Sequence, residues 1–331
     1  MMRTIATFLA DARMTVRKPC GLALAENHGA HPQQAKSWSM RPDDWQLTED
    51  VNDFLARAGD FLRSRPDLHT MPLTVTEKLR THGADAYGAQ PTVFGRLERA
   101  GTVRATFHRL PSRGLSVTSL TPEHADTLAA HLAALGHSLP YVSADHSTAT
   151  AFAEAWQRHT GAAPTLSKRI RLYRLGTLTP PEPLPEGRHR VAGEQDHKQV
   201  VCWCGEFVDT VGEVPTVDAG SWAGSRFADK HFTFWETPDG NPVSMAAVTS
   251  MLAGMVRVDP VYTPARLRGR GYAGAVTVEV SRAALTAGAR DVVLFADPAN
   301  PTSNALYQRI GYVPVTDFAV YDFSRAAPDV S

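Results

Sequence analysis

The sequence predicts an α/β protein, of the α+β kind, in which two mixed central sheets flanked by helices follow one another along the chain. Three observations carry this expectation. At 331 residues and 43% hydrophobic, the chain is long and apolar enough to build two ordinary cores. An interval at 177–187 holds Pro180, Pro181, Pro183 and Pro185 and reads as an extended, stiff linker. On both sides of it, short apolar strand-like runs alternate with segments of helix length.

Residues 1–42 are polar, rich in Ala, His and Gln, and poorly periodic, and they read as a flexible extension or a start codon placed too early. The first domain is expected at 43–176. It shows helices near 49–64 and 70–82, then strands near 92–98, 102–109 and 114–119. Helices near 122–135 and 147–160 and a strand near 166–174 complete it. The second domain is expected at 188–326, with 327–331 as a tail. It opens with a short strand from His189 to Ala192. A helix from Gln195 to Val211 follows, with Val200, Val201, Phe207, Val208 and Val211 as its apolar positions. Strands follow at His231–Trp235, Pro242–Thr249 and Gly254–Tyr262, the first two joined by the turn Pro238-Asp239-Gly240-Asn241.

The most informative stretch comes next. Arg268-Gly269-Arg270-Gly271-Tyr272-Ala273 lies between that last strand and a helix expected from Ala275 to Ala287. Two glycines at a strand-to-helix turn let backbone N–H groups converge, and a helix start favours phosphate oxygens. Arg268 and Arg270 add positive charge beside it. Such a turn also arises for steric reasons alone. Neither a Gly-x-Gly-x-x-Gly fingerprint nor a Gly-Lys-Ser/Thr sequence is present. Beyond it, Val292-Val293-Leu294-Phe295 reads as a buried strand, followed by Asp297-Pro298-Ala299-Asn300-Pro301-Thr302-Ser303-Asn304-Ala305-Leu306-Tyr307. Asn300 and Pro301 suit a helix cap and first position, and the helix ends near Ile310, before Gly311. Tyr307 falls seven residues after Asn300, about two turns along one face.

The two motifs together resemble those of the GNAT superfamily of acyl-CoA-dependent acetyltransferases. Arg268, Gly271 and Ala273 fill the family's Arg/Gln-x-x-Gly-x-Gly/Ala pattern, and Asn300, Ser303, Tyr307, Gly311 and Tyr312 fill its second motif. The resemblance covers about residues 188–325. One departure is visible: three residues, rather than two, separate Pro264 from Arg268. Arg266, Gly269 and Gly271 offer an alternative register. The first domain echoes the same order of elements but lacks the glycine turn, offering only Arg109, Arg113 and Gly114 between His108 and Gly114. It is therefore read as a degenerate GNAT-like copy that has lost cofactor binding, with an unrelated α+β domain as the competing view. The fold expectation becomes tandem GNAT-like domains.

The resemblance implies acetyl-CoA as co-substrate and an amine as acceptor, with direct attack of the amine on the thioester. Backbone N–H groups of Gly269, Arg270, Gly271, Tyr272 and Ala273 would grip the diphosphate, and Arg268 would turn toward it or brace the loop. The strand end Val261-Tyr262-Thr263 would pair with the pantetheine arm where it splays from the strand before Asp297. An N–H near Val261 would stabilise the oxyanion. Asn300, Ser303 and Asn304 would orient the cofactor or cap the helix. Tyr307 would contact the cofactor and, with a phenol pKa near 10, protonate the departing thiolate. Packed core positions are the plain alternative for Val261 and Tyr307.

For the base, Glu206, Asp209, Glu213, Glu236 and Asp259 are candidates, each also explicable as a surface charge; some relatives use a water chain instead. The acceptor pocket is expected in a cleft between the domains, or under Val214–Phe227, where Trp222 and Phe227 adjoin Asp218 and Arg226.

Composition narrows the rest. Formal net charge is zero and the pI about 7.2, which argues against nucleic acid or an acidic membrane surface as partner. Three cysteines, Cys20, Cys202 and Cys204, form no disulfide framework and suit a reducing cytoplasm. No HExxH or other metal spacing occurs among the thirteen histidines, so no metal is expected. No apolar run reaches membrane-spanning length, and the N-terminus lacks the pattern of a signal peptide. The reading is thus a cytoplasmic N-acetyltransferase, monomer or homodimer, acting on a small-molecule amine. The alternatives are a non-catalytic acyl-CoA-binding regulatory module and an acyltransferase with a different acyl donor.

Overall fold

A computed structural model describes residues 45–111, 113–212 and 226–324. The expected extension at 1–42, the tail at 327–331, Glu213 and most of the Val214–Phe227 segment lie outside the described residues. In chain order the first half contains β1 (Trp45–Thr48), α1 (Val51–Ser64), α2 (Thr70–His82), β2 (Val93–Arg99), β3 (Thr102–Arg109) and β4 (Leu115–Val117). It ends with α3 (Pro122–Ala134), β5 (Tyr141–Asp145), α4 (His146–Thr160) and β6 (Ala163–Leu175). The second half contains β7 (Arg188–Val191), α5 (His197–Thr210), β8 (His231–Glu236), β9 (Pro242–Val248) and β10 (Met255–Tyr262). It closes with α6 (Tyr272–Thr286), β11 (Asp291–Ala296), α7 (Pro301–Arg309) and β12 (Tyr312–Ser324).

Local chemistry explains the helix starts. Asp50 accepts from the N–H groups of Asn52 and Asp53 at the head of α1, and Thr121 with Pro122 opens α3. Asp145 caps α4, which Gly161 ends in the left-handed region. Helix α6 starts at Tyr272, three residues earlier than the sequence suggested. Gly274 in its first turn is a poor helix former and obscured the start.

All twelve strands belong to one mixed sheet, ordered β1-β2-β3-β4-β5-β12-β6-β11-β10-β9-β8-β7. The two expected sheets are fused because their last strands are exchanged. Strand β6, from the first half, pairs antiparallel with β11 of the second, and β12, from the second half, pairs antiparallel with β5 of the first. β6 and β12 also pair with each other, from Tyr312↔Leu175 to Ser324↔Ala163. Each half supplies the strand that covers the other's edge, which leaves no exposed ladder at the middle of the sheet.

Helices cover both faces. One core packs α3 and α4 on the first half, and another packs α6 and α7 on the second together with Tyr173 and Leu175 of β6. A third is shared: Phe54, Leu62 and Leu79 of α1 and α2 join Leu172 of β6, Met255 of β10 and Val293 of β11. The start of the 177–187 segment meets the C-terminal end of α7, where Thr179 N–H donates to Ile310 O at 3.0 Å. The same segment brings Pro185 beside Gly271.

Candidate active site

The site forms where two parallel strands separate. β10 and β11 pair in register from Met255↔Asp291 to Val258↔Leu294, and the ladder stops there. β10 continues to Tyr262 held by β9 alone, through Val261↔Ala246 and Tyr262↔Met245, with a register shift after Val258. Val261 and Tyr262 therefore sit beyond the last β10–β11 pair, at the mouth of a gap. On the second strand, Ala296 and Asp297 lead into α7.

The glycine turn closes one end of this gap. After Thr263 the chain makes a 3-10 turn at Ala265–Leu267, and Arg268 Nε donates to Thr263 O at 3.0 Å. Gly269 and Gly271 have φ of +77° and +81°, a region that side chains resist. Gly271 is the cap residue of α6, and no side chain caps that helix start. The orphan N–H groups of its first turn thus have no capping side chain. A Cβ at Gly269 would meet nothing within 4 Å, so the turn is open on its outer face. Arg270 is exposed there, and Tyr272 and Ala273 are half-buried. Open backbone donors at a positive helix end fit a diphosphate.

The second motif forms the other wall. Asn300 Oδ1 accepts from Ser303 N–H at 3.1 Å, a capping bond. Asn304 is buried and committed: Nδ2 donates to Asp297 O and Asn300 O, and Oδ1 accepts from the Tyr173 hydroxyl at 2.6 Å. Tyr307 is 8% exposed, with its ring between Tyr173 and Tyr312. Its hydroxyl has no hydrogen-bond partner among the described residues, whereas Tyr173 donates to Asn304 and Tyr312 pairs with Ser281. Burial, with Asp259 adding to it, pushes the Tyr307 phenol well above its ordinary value. It is a protonated donor with nothing among the described residues to donate to.

The base candidates separate on geometry. Glu236 is buried and held by Arg190 Nε at 2.6 Å, a structural pair. Asp209 is exposed. Glu206 Oε2 accepts from the Tyr262 hydroxyl at 2.5 Å, which together with burial pushes that phenol up to about 12. Asp259, on β10 just past the last β10–β11 pair, is bonded by Lys230 Nζ and by Arg226 at 3.3 Å. Burial raises its pKa, but Lys230, Arg226 and Arg257 outweigh it and hold the carboxyl well below the usual range. Burial pushes Lys230 down to about 8.

Arg226, Lys230, Arg257 and Asp259 face a cavity of about 1950 Å³ lined by both halves, with Met71, His108 and Tyr141 from the first and Asp297 from the second. Sequence reading missed Arg257 and Lys230. The signal for Arg257 was present: it is the one cation inside the run Met255-Val256-Arg257-Val258, a strand with buried positions on both sides. No group of residues suited to a metal ion occurs among the described residues, and no described helix is long and apolar enough to cross a membrane.

A splayed parallel pair with an uncapped glycine turn on one side and an Asn-capped helix on the other defines an acetyltransferase fold of the GNAT type, here in tandem. Residues 243–318 match the family model described as FR47-like protein. No curated protein matches the chain. Among solved structures, a GCN5-related N-acetyltransferase from Sphaerobacter thermophilus is 18% identical with a TM-score of 0.56, over 88% of this chain and 99% of its own. A tandem GNAT protein from the clavulanic acid biosynthesis pathway is 12% identical with a TM-score of 0.55, over 86% of this chain and all of its own. A GNAT-family acetyltransferase from Colwellia psychrerythraea is 12% identical with a TM-score of 0.52, over 85% of this chain and all of its own. The match to a tandem GNAT protein over 86% of this chain extends the fold to the first half.

Proposed function

We propose that the protein is an acetyl-CoA-dependent N-acetyltransferase that acylates the amine of a small molecule. The observation that carries this reading is the end of the β10–β11 ladder at Val258↔Leu294, directly beside the uncapped start of α6. A gap between strands offers main-chain groups to an amide-rich arm, as a sheet edge does to a peptide. The helix start offers N–H groups to a diphosphate.

Acetyl-CoA supplies the acyl group as a thioester. The N–H groups at the turn Gly269–Ala273 hold its diphosphate, and the end of β10 at Val261–Thr263 aligns the arm so that the carbonyl meets the amine. The amine nitrogen forms a bond to the carbonyl carbon, a main-chain N–H near Val261 takes the developing oxyanion, and the carbon–sulfur bond breaks. Tyr307 gives its phenol proton to the departing thiolate and recovers one from solvent. The proton lost by the amine leaves through water, with Glu206 and Asp259 as the carboxylates nearest the strand end. The acceptor occupies the cavity between the halves. The protein works without a metal, a nucleic acid or a membrane, in the cytoplasm.

The test is an amine library screened by release of free thiol from acetyl-CoA, run beside the melting temperature with acetyl-CoA alone. Turnover of an amine together with a raised melting temperature supports the reading. A raised melting temperature with no thiol released from any amine favours a binding module. Thiol released only from longer acyl-CoA thioesters favours a different donor.

A further inference from the structure

Arg257 is the anomaly of the cavity. It is 8% exposed, yet its hydrogen bonds go only to the neutral Thr70 Oγ1, at 3.0 Å, and to the Met71 sulfur. No carboxylate oxygen among the described residues comes within 4.0 Å of it. The other buried arginine, Arg96, has Glu98 at 3.4 Å and Asp53 at 3.7 Å. The partly buried Arg171 and Arg190 each hold a carboxylate at 2.6 Å. Buried charges in proteins are paired as a rule, because an unpaired one forfeits its hydration without return. Arg257 breaks that rule and faces the cavity between the halves.

Its surroundings point to an anion. The nearest carboxylate, Asp259, is already engaged by Lys230 and Arg226 and so is not offered to Arg257. The fork of a guanidinium, with one nitrogen fixed by Thr70, leaves donors spaced for the two oxygens of a carboxylate. Arg257 also lies on the strand that ends at the proposed reaction centre: four residues, at most about 14 Å of strand, separate it from Val261.

We propose that Arg257 is the anion subsite of the acceptor pocket and that the acceptor is an amine carrying a carboxylate, as an amino acid does. This deepens the acetyltransferase reading and rests on it for the word acceptor; the binding site itself does not depend on turnover.

The experiment compares the standard L-amino acids with their carboxamides at equal concentration, first by melting temperature in the presence of free coenzyme A, then by thiol release from acetyl-CoA. The expected result is a subset of acids that raise the melting temperature while the matching amides do not. Arg257→Gln abolishes that shift, and Arg257→Lys, which keeps charge but not the fork, retains part of it. In turnover, Arg257→Gln raises KM for the acids at least tenfold and changes kcat little. Equal shifts from acid and amide, an unchanged shift in Arg257→Gln, or no shift from any acid overturns the proposal, and the wild-type comparison decides it even should Arg257→Gln fail to fold. Discrimination of acid from amide without thiol release sinks the acetyltransferase reading and leaves the subsite standing.

Discussion

The Tyr173 hydroxyl donates to Asn304 Oδ1 at 2.6 Å, so the last strand of the first half holds the helix that carries Tyr307 in the second. Asn304 transmits the support through its amide, which donates to Asp297 O and Asn300 O. Replacing it by alanine strands a buried phenol and two carbonyls. Each unsatisfied buried group costs about 1–3 kcal/mol, and with partial relaxation Asn304→Ala is expected to lose about 2–4 kcal/mol in denaturant unfolding. Tyr173→Phe, which leaves Asn304 Oδ1 without its donor and takes a long 3.4 Å acceptor from Gln308 Nε2, is expected to lose less. Equal stability of both variants and the wild type removes this bond from the fold's support.

The exchange of β6 and β12 makes a second expectation. Alone, residues 177–331 would carry β11 with a bare edge and β12 without its main partner, and residues 1–176 would leave β5 uncovered. Unpaired edges of that length promote aggregation. The halves expressed separately are expected to be insoluble or unfolded, and co-expressed halves to recover a stable pair. A monomeric, cooperatively melting second half on its own would contradict this.

How far the sequence spoke depends on how local each signal is. The glycine turn and the Asn300–Tyr307 helix are local, and both lie in the structure as their spacing implied. Helices α1 to α4 lie close to the intervals read from the sequence, and caps such as Asp50 and Thr121 account for where two of them start. Three strands were not. β1 and β5 are four and five residues long, and Asp145 at the end of β5 doubles as a helix cap. β12 contains Pro314 and polar Thr316, Asp317 and Asp322, and it alternates weakly because much of it is only half-buried. The strand exchange and the pairing of Arg257 with Thr70, 187 residues away, are long-range facts that no local pattern encodes.

Gly271 tests the diphosphate site. A Cβ there would find its nearest neighbour, Pro185, at 3.7 Å, so space is available; the obstacle is φ of +81°. A β-branched residue cannot hold that conformation cheaply, and the turn must rearrange. Acetyl-CoA at about 100 times its dissociation constant should add about 2.7 kcal/mol to wild-type stability. Gly271→Val is expected to lose that increment while keeping a folded free protein. An intact ligand-induced shift in Gly271→Val places the cofactor elsewhere.

Asp259 anchors the buried charges. Asp259→Asn leaves Lys230 without its counter-ion, a change expected to cost about 3–5 kcal/mol near neutral pH. The wild type carries a matching pH signature. Because the Asp259 carboxyl is depressed, its contribution is present above the ordinary carboxylate range and is lost as pH falls through the folded value. Lys230 adds a slope of the same sign in a higher pH window. With a folded value of about 8 it releases its proton before the unfolded chain does, so this group adds stability as pH rises from 8 to about 10.5. Urea unfolding from pH 3 to 10 reads both slopes: persistence of the acid slope in Asp259→Asn would assign it to other groups, whereas the alkaline slope should remain there, because burial and not Asp259 depresses Lys230.

Tyr307 offers the sharpest separation of binding from chemistry. Its ring is packed but its hydroxyl has no partner among the described residues, so Tyr307→Phe removes one oxygen that holds none of them in place. The acetyl-CoA-induced rise in melting temperature should survive. The rate should fall about 10²-fold or more, the usual contribution of a positioned acid. Burial first, and then Asp259, raise this phenol above its ordinary value, so it stays protonated through pH 10. The wild-type rate should therefore show no alkaline fall from this group below pH 10. The same raised value has a stability consequence: its contribution is intact below pH 10 and is lost as pH rises from there through the folded value. Unchanged turnover in Tyr307→Phe would remove the residue from the reaction and leave proton delivery to solvent.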